Sequence, residues 1–200
     1  MIKFYDFSKQ VNEYELFYAF SPQSRTRNKF TQENGYIRNK EMPVEEGKVR
    51  TLHDNEHISL LTKERYGEGT TITLECAFIE FGAPLILLTD ELVTVNNTQS
   101  YDRHFEVVAY EDGVNVWTIR SAPERTDNRG MDDKLLYSHS FPIAPLERIV
   151  IKTKLLKGKI EVNVNGREFS LEIKNLPEKC HVGLTSCEGI NHFYSLKIER

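Results

Sequence analysis

No apolar run in this 200-residue chain is long enough to cross a bilayer as a helix, so the sequence gives no membrane anchor of that kind. Three cysteines, Cys76, Cys180 and Cys187, are odd in number and widely spaced, which excludes a disulfide scaffold and points to a reducing compartment. Lys and Arg number 26 against 30 Asp and Glu, a formal charge of −4, so the basic stripe that phosphate neutralisation requires is missing and nucleic acid is not an expected partner. The one compact basic cluster, Ser24 to Lys29, reads as a solvated loop. The chain also lacks a phosphate-cradling glycine loop, a nucleophile motif and a tight set of metal ligands. No apolar stretch with a small-residue cleavage site follows Met1, and the expectation is a cytoplasmic protein in which the sequon Asn96-Asn97-Thr98 is a chance match.

Convincing amphipathic helices are absent too, and what stands in their place is a succession of short β-like runs. In Thr71 to Phe78, Ile72, Leu74, Cys76 and Phe78 alternate with polar or small residues, as a half-buried strand requires. Leu85 to Leu88 is wholly apolar and suits a strand buried on both faces. Further runs follow at Lys134 to Phe141, Arg148 to Leu155 and Lys159 to Asn163, then, past the strong hairpin turn Asn165-Gly166, at Phe169 to Ile173, His181 to Ser186 and Phe193 to Ile198. Asp6 to Asn39 reads as irregular short strands and turns, Thr94 to Ser100 as a loop, and Ser121 to Asp133 as the longest loop of the second half and the wall of a groove. Runs recurring at roughly 8–12 residues, separated by Gly, Pro, Asn and Asp, predict an all-β fold: two antiparallel sheets packed as a sandwich. The expected organisation is a single domain over 1–200, with strands and loops of 1–68 packing on a core of 69–200.

At the centre lies His104 to Ser121, HFEVVAYEDGVNVWTIRS, where Asp112-Gly113 between two alternating runs predicts a hairpin. A two-residue Asp112-Gly113 loop sets Glu111 opposite Val114, Tyr110 opposite Asn115, Val108 opposite Trp117 and Glu106 opposite Ile119. Phe105, Val107, Ala109, Val114, Val116 and Thr118 then share a core-like face. The other face gathers His104, Glu106, Val108, Tyr110, Asn115, Trp117 and Ile119. A sugar ring has an apolar C–H face and a rim of hydroxyls, so it needs an aromatic plate beside amide and carboxylate groups; Trp117, Tyr110, Asn115, Glu106 and His104 supply that set. Glu161 and Asn163, on the polar side of their own strand, are candidates to extend the surface.

The order of elements, with FEVVAYEDGVNVWTI in the middle, then IVIKTKLLKGKIEVNVNGREF and a closing VGLTSCEGINHFYSLKIE, resembles the concanavalin A-like lectin/glucanase superfamily from about Gly69 to Glu199. The resemblance implies a jelly roll whose curved sheet binds carbohydrate on its concave face. It also invites comparison of Glu75 to Glu80 with the laminarinase-type motif Glu-x-Asp-x-x-Glu, whose glutamates act as nucleophile and acid/base about 5–5.5 Å apart. Here Ala77 replaces the central Asp, and Glu75 and Glu80 face opposite sides of a regular strand. His53-Asp54-Asn55-Glu56-His57 matches the H-x-x-E-H zinc pattern, but β-like runs around Asp54-Asn55 deny it the helix that the spacing serves.

The leading expectation is a carbohydrate-binding protein holding an oligosaccharide. The alternatives are a glycoside hydrolase using Glu106 with His104 as catalytic groups, and a non-catalytic interaction or structural module. No cofactor is expected; a structural calcium ion and a homodimer paired through an edge strand stay open.

Overall fold

A computed structural model describes residues 1–21, 27–40, 57–79, 81–95, 97–121 and 131–200. The described residues form strands and no helix, in the order β1 (Ile2–Asp6), β2 (Leu16–Phe20), β3 (Thr31–Glu33), β4 (Tyr36–Arg38), β5 (Ile58–Thr62), β6 (Tyr66–Gly67), β7 (Thr71–Ile79), β8 (Ala83–Thr89), β9 (Leu92–Val95), β10 (Thr98–Tyr101), β11 (His104–Tyr110), β12 (Gly113–Ser121), β13 (Met131–Ser140), β14 (Ile149–Leu156), β15 (Lys159–Val164), β16 (Arg167–Glu172), β17 (Lys179–Cys187) and β18 (Ile190–Glu199). They make two sheets. One runs β16, β15, β14, β7, β18, β4, β3, with β1 also on β18; the other runs β13, β12, β11, β8, β17, β5, β2, β10, β9, with β6 on β17. Pairing is antiparallel except at β2 and β10, which meet in parallel at Phe20 and Ser100. The sandwich expected from the alternating runs is therefore present, and consecutive strands repeatedly cross between sheets.

Alternation decides which side chains fill the gap between the sheets. Ile72, Leu74, Cys76 and Phe78 of β7 meet Ile86 and Leu88 of β8, Phe105, Val107 and Ala109 of β11, Val114 and Val116 of β12, and Val182 and Leu184 of β17 in one buried cluster. β8 is buried along its whole length, because the opposite face of its sheet is covered as well. There Leu85 and Leu87 join Ala19, Leu61, Ala83, Tyr101 and Val108 in a second cluster.

That second face is concave. Ser100 pairs with Phe20 on β2, and His104 pairs with Thr89 on β8. Four residues of chain span at most about 14 Å, whereas β10 and β11 in a flat sheet would stand five strand spacings apart, about 24 Å. The sheet must curl for the chain to bridge its two sides, and the bridge crosses the face that carries Tyr101.

The central hairpin forms with the predicted faces but a different register. Tyr110 pairs with Gly113, Val108 with Asn115, Glu106 with Trp117 and His104 with Ile119, two residues removed from a loop centred on Asp112-Gly113. Glu111 and Asp112 make the turn, and Gly113 opens β12 at φ 135°. The cause is tertiary: Phe141 N–H donates to the Asp112 carbonyl at 3.0 Å and Ile143 N–H to that of Glu111 at 2.9 Å, so the segment leaving β13 claims both turn carbonyls. By contrast Asn165 and Gly166, at φ 49° and 86°, do occupy the centre of their turn, with Val164 paired to Arg167.

Candidate functional site

Three neighbouring rows cross the concave face, and a fourth beyond them carries Tyr110 opposite Gly113 and Ser140. The middle row runs from Leu135 through Trp117, Glu106, Leu87, Gly183 and Leu61 to Phe17. One side holds Ser138, Asn115, Val108, Leu85, Thr185, Ser59 and Ala19, and the other Asp133, Ile119, His104, Thr89 and His181. The middle row begins at a bulge, where β13 shifts register between Val116 and Trp117. The bulge brings Leu135 beside the indole, and Leu135 is 44% exposed.

The residues expected at this face separate into a floor and a rim. Glu106 is 3% and His104 5% exposed, and His104 Nε2 lies 3.1 Å from Glu106 Oε1. His104 Nδ1 is 2.8 Å from the Asp102 carbonyl, which can only accept, so Nδ1–H donates there and the other contact needs a proton between Nε2 and Oε1. The pair is thus self-satisfied beneath the surface. Trp117, Tyr110 and Asn115 are half-buried, with Trp117 and Tyr110 packed against the second cluster. Asn115 Oδ1 is buried, and among the described residues none donates a hydrogen bond to it.

Glu161 and Asn163 do not extend this surface. They sit on β15 in the other sheet, facing away from Ile160, Val162 and Val164 in the core. Glu161 lies 3.5 Å from Lys159 and 3.9 Å from Lys154, and Asn163 Nδ2 donates to Glu168 at 2.9 Å. Glu75 belongs to the same sheet, 3.7 Å from Arg148; Glu80 lies outside the described residues. Of the H-x-x-E-H segment only His57 is described, with Nε2 3.4 Å from Cys187 Sγ. Burial pushes the Cys187 thiol well above its usual range, with Glu106 and Glu188 adding to the shift. Among the described residues no group of three or more His, Cys, Asp or Glu could hold a metal ion.

Tyr101 was not among the expected site residues, yet it occupies the middle of the face at 1% exposure. Its ring centroid is 4.8 Å from that of His104 on β11, and its hydroxyl accepts a hydrogen bond from Ser59 on β5 at 2.9 Å. Ser59 in turn is 2.7 Å from Thr185. The side chain therefore lies over β8 and β17, where Gly183 contributes no side chain to the row. β10 forms where a polar loop was expected, and Thr98-Gln99-Ser100-Tyr101 carries no apolar alternation that would have announced it.

The architecture is a concanavalin A-like jelly-roll sandwich. No family model matches the chain, and no curated protein does. Among solved structures, LamAcat from Zobellia galactanivorans is similar over 99% of this chain and 96% of its own, with TM-score 0.62 and 10% identity. The beta-glucanase of Bacillus licheniformis is similar over 100% and 98%, with TM-score 0.60 and 9% identity. The carbohydrate-binding module CBM66 of Bacillus subtilis is similar over 69% and 78%, with TM-score 0.51 and 10% identity. At such identities the likeness is one of fold.

Proposed function

We propose that the protein binds a carbohydrate on the concave face of the ten-stranded sheet, with Trp117 as the plate, Leu135 beside it, Asn115 as the polar anchor one row away and Tyr110 one row further. The observation that carries this reading is the half-buried Trp117 indole paired with Leu135, 44% exposed, on the concave face, one row from the half-buried Asn115 amide. A ligand with an apolar face rimmed by hydroxyls would cover the indole and the leucine and place its polar rim beside the Asn115 side chain. Folds shared with a carbohydrate-binding module and a beta-glucanase support the same class of ligand.

Binding is favoured over hydrolysis. Retaining and inverting glycosidases both need two carboxyl groups flanking the bond. On this side Glu106 is buried and engaged by His104, and Asp133 of β13 stands two strands away and one row over, so no second carboxylate faces Glu106 across a shared site among the described residues. In this reading the pair holds the floor of the site.

A glycan-array screen read by binding and by product release tests the proposal. Wild type is expected to bind without releasing product. Trp117→Ala, folded by circular dichroism, is expected to lose at least tenfold in affinity, about 1.4 kcal/mol. Absence of binding to any glycan, or equal binding by the variant, would overturn the reading; product release abolished by Glu106→Gln would replace it with the hydrolase.

A further inference from the structure

β1 ends its sheet and is bonded to β18 on one side only. The residues bonded inward are the odd ones: the Met1 carbonyl accepts from Arg200 N–H and Phe7 N–H donates to the Tyr194 carbonyl, both at 2.9 Å. Antiparallel bonding alternates, so Ile2 and Phe4 aim their N–H and C=O groups at the free edge. Among the described residues no group bonds to either backbone there. Their side chains are 66% and 60% exposed, while Lys3 turns inward to Glu15 at 3.2 Å and Glu64 at 3.1 Å. The segment from Lys9 to Asn12 stands across a groove of about 410 Å³ from this strand. Two longer edges are guarded by charge, with Asp132, Asp133 and Lys134 on β13 and Arg167, Glu168 and Glu172 on β16. β1 presents two apolar side chains in their place.

From this we infer that β1 is a dimer edge, pairing antiparallel with β1 of a second copy about a twofold axis at Lys3. Ile2 of each copy then faces Phe4 of the other, and these two pairs exchange four N–H···O bonds. The strand is its own complement in this register, because its two outward-bonding residues are two apart. Charge matches as well. Ile2 lies beside Glu199 of β18 and Phe4 beside Lys197, so each apolar pair stands between Glu199 of one copy and Lys197 of the other. Lys3 meets Lys3 across the axis with its charge already balanced by two carboxylates of its own copy. The pairing joins two eight-stranded sheets edge to edge and uses no residue of the concave face, so it stands or falls apart from the carbohydrate reading.

Sedimentation equilibrium of the full chain tests the pairing. Wild type is expected to dimerise with a dissociation constant on the order of 100 μM or tighter, as suits a small interface. Phe4→Lys and Phe4→Pro should each weaken the dimer at least about tenfold; the proline forfeits no bond to β18, since the Phe4 N–H points away from it. The register has its own readout under mild oxidation. Lys3→Cys places two thiols at the axis, on Cα atoms about 4.5 Å apart, and should give a disulfide-linked dimer. Ile2→Cys stands more than about 7 Å from its counterpart and should not. A chain that stays monomeric at several times the expected dissociation constant overturns the inference and leaves the edge to a strand from an unlike chain. A dimer indifferent to both Phe4 variants, or cross-linking as efficient at position 2 as at position 3, overturns it equally.

Discussion

Gly113 stands at φ 135°, and a Cβ there would lie 2.1 Å from the His139 carbonyl oxygen and 3.0 Å from the Phe141 nitrogen. Two penalties therefore fall on one residue: an L side chain forced into the left-handed region, and backbone atoms of β13 that cannot yield without breaking the pairing of β12 with β13. Gly166 incurs only the first, since at φ 86° nothing lies within 4 Å of a Cβ built there. Gly166→Ala is expected to cost about 1 kcal/mol, and Gly113→Ala about 2–4 kcal/mol, both read from urea denaturation midpoints. Equal costs would mean that β13 can retreat from the turn. The difference also separates two glycines that look alike in sequence, since both follow a turn-forming Asn or Asp between alternating runs.

At the scale of the strand, β11 presents His104 and Glu106 two residues apart, and the carbonyl of Asp102 just before the strand fixes which imidazole nitrogen carries its proton. Glu106→Ala would leave His104 Nε2 buried with no partner and is expected to cost about 2–4 kcal/mol. Glu106→Gln should stay within about 1 kcal/mol of wild type, because a glutamine N–H can donate to the unprotonated Nε2 of a neutral imidazole. Chemical denaturation of the two variants distinguishes these outcomes; a glutamine variant as unstable as the alanine variant would show that the carboxylate charge itself is required. How far such detail can be read from sequence depends on the range of the interaction. The faces of β11, β12 and β15 follow from period two alone and stand as expected. The register of β11 on β12 does not, because Phe141 and Ile143 set it from thirty residues downstream. Nor does period two reveal that Glu161 and Asn163 lie on the other sheet, since the crossovers between sheets decide that. Tyr101 was illegible for the same reason: its importance comes from β10 pairing with β2 eighty residues earlier, and nothing local to Thr98–Tyr101 announces that partner.

At the scale of the whole molecule, two histidines tie stability to pH from opposite sheets. Burial holds His192 on β18 below the ordinary histidine value of 6.5; Arg38 pushes it the same way and Glu33 opposes. Burial also lowers His181 on β17, where the Thr62 carbonyl pulls its value up and Arg65 pushes it down. A folded value below the unfolded one means that the unfolded chain binds the proton first. Stability from these residues is therefore fully present above about pH 6.5 and drains as pH falls toward the lower folded values. Asp6, Glu15 and Glu64, whose values are lowered chiefly by hydrogen bonds from Ser8, Tyr5 and Lys3 respectively, drain only below the ordinary carboxylate range. The denaturation midpoint is accordingly expected to fall between about pH 7.5 and about pH 5.5, before any carboxylate contributes. His192 stacks on Tyr36 with ring centroids 4.3 Å apart, so His192→Phe keeps the ring contact while removing the titration. This variant should show a shallower fall over the same interval, and adding His181→Gln should flatten it further. A wild-type midpoint that does not move over that interval, or a slope untouched by both substitutions, would show that neither imidazole is held neutral by the sandwich.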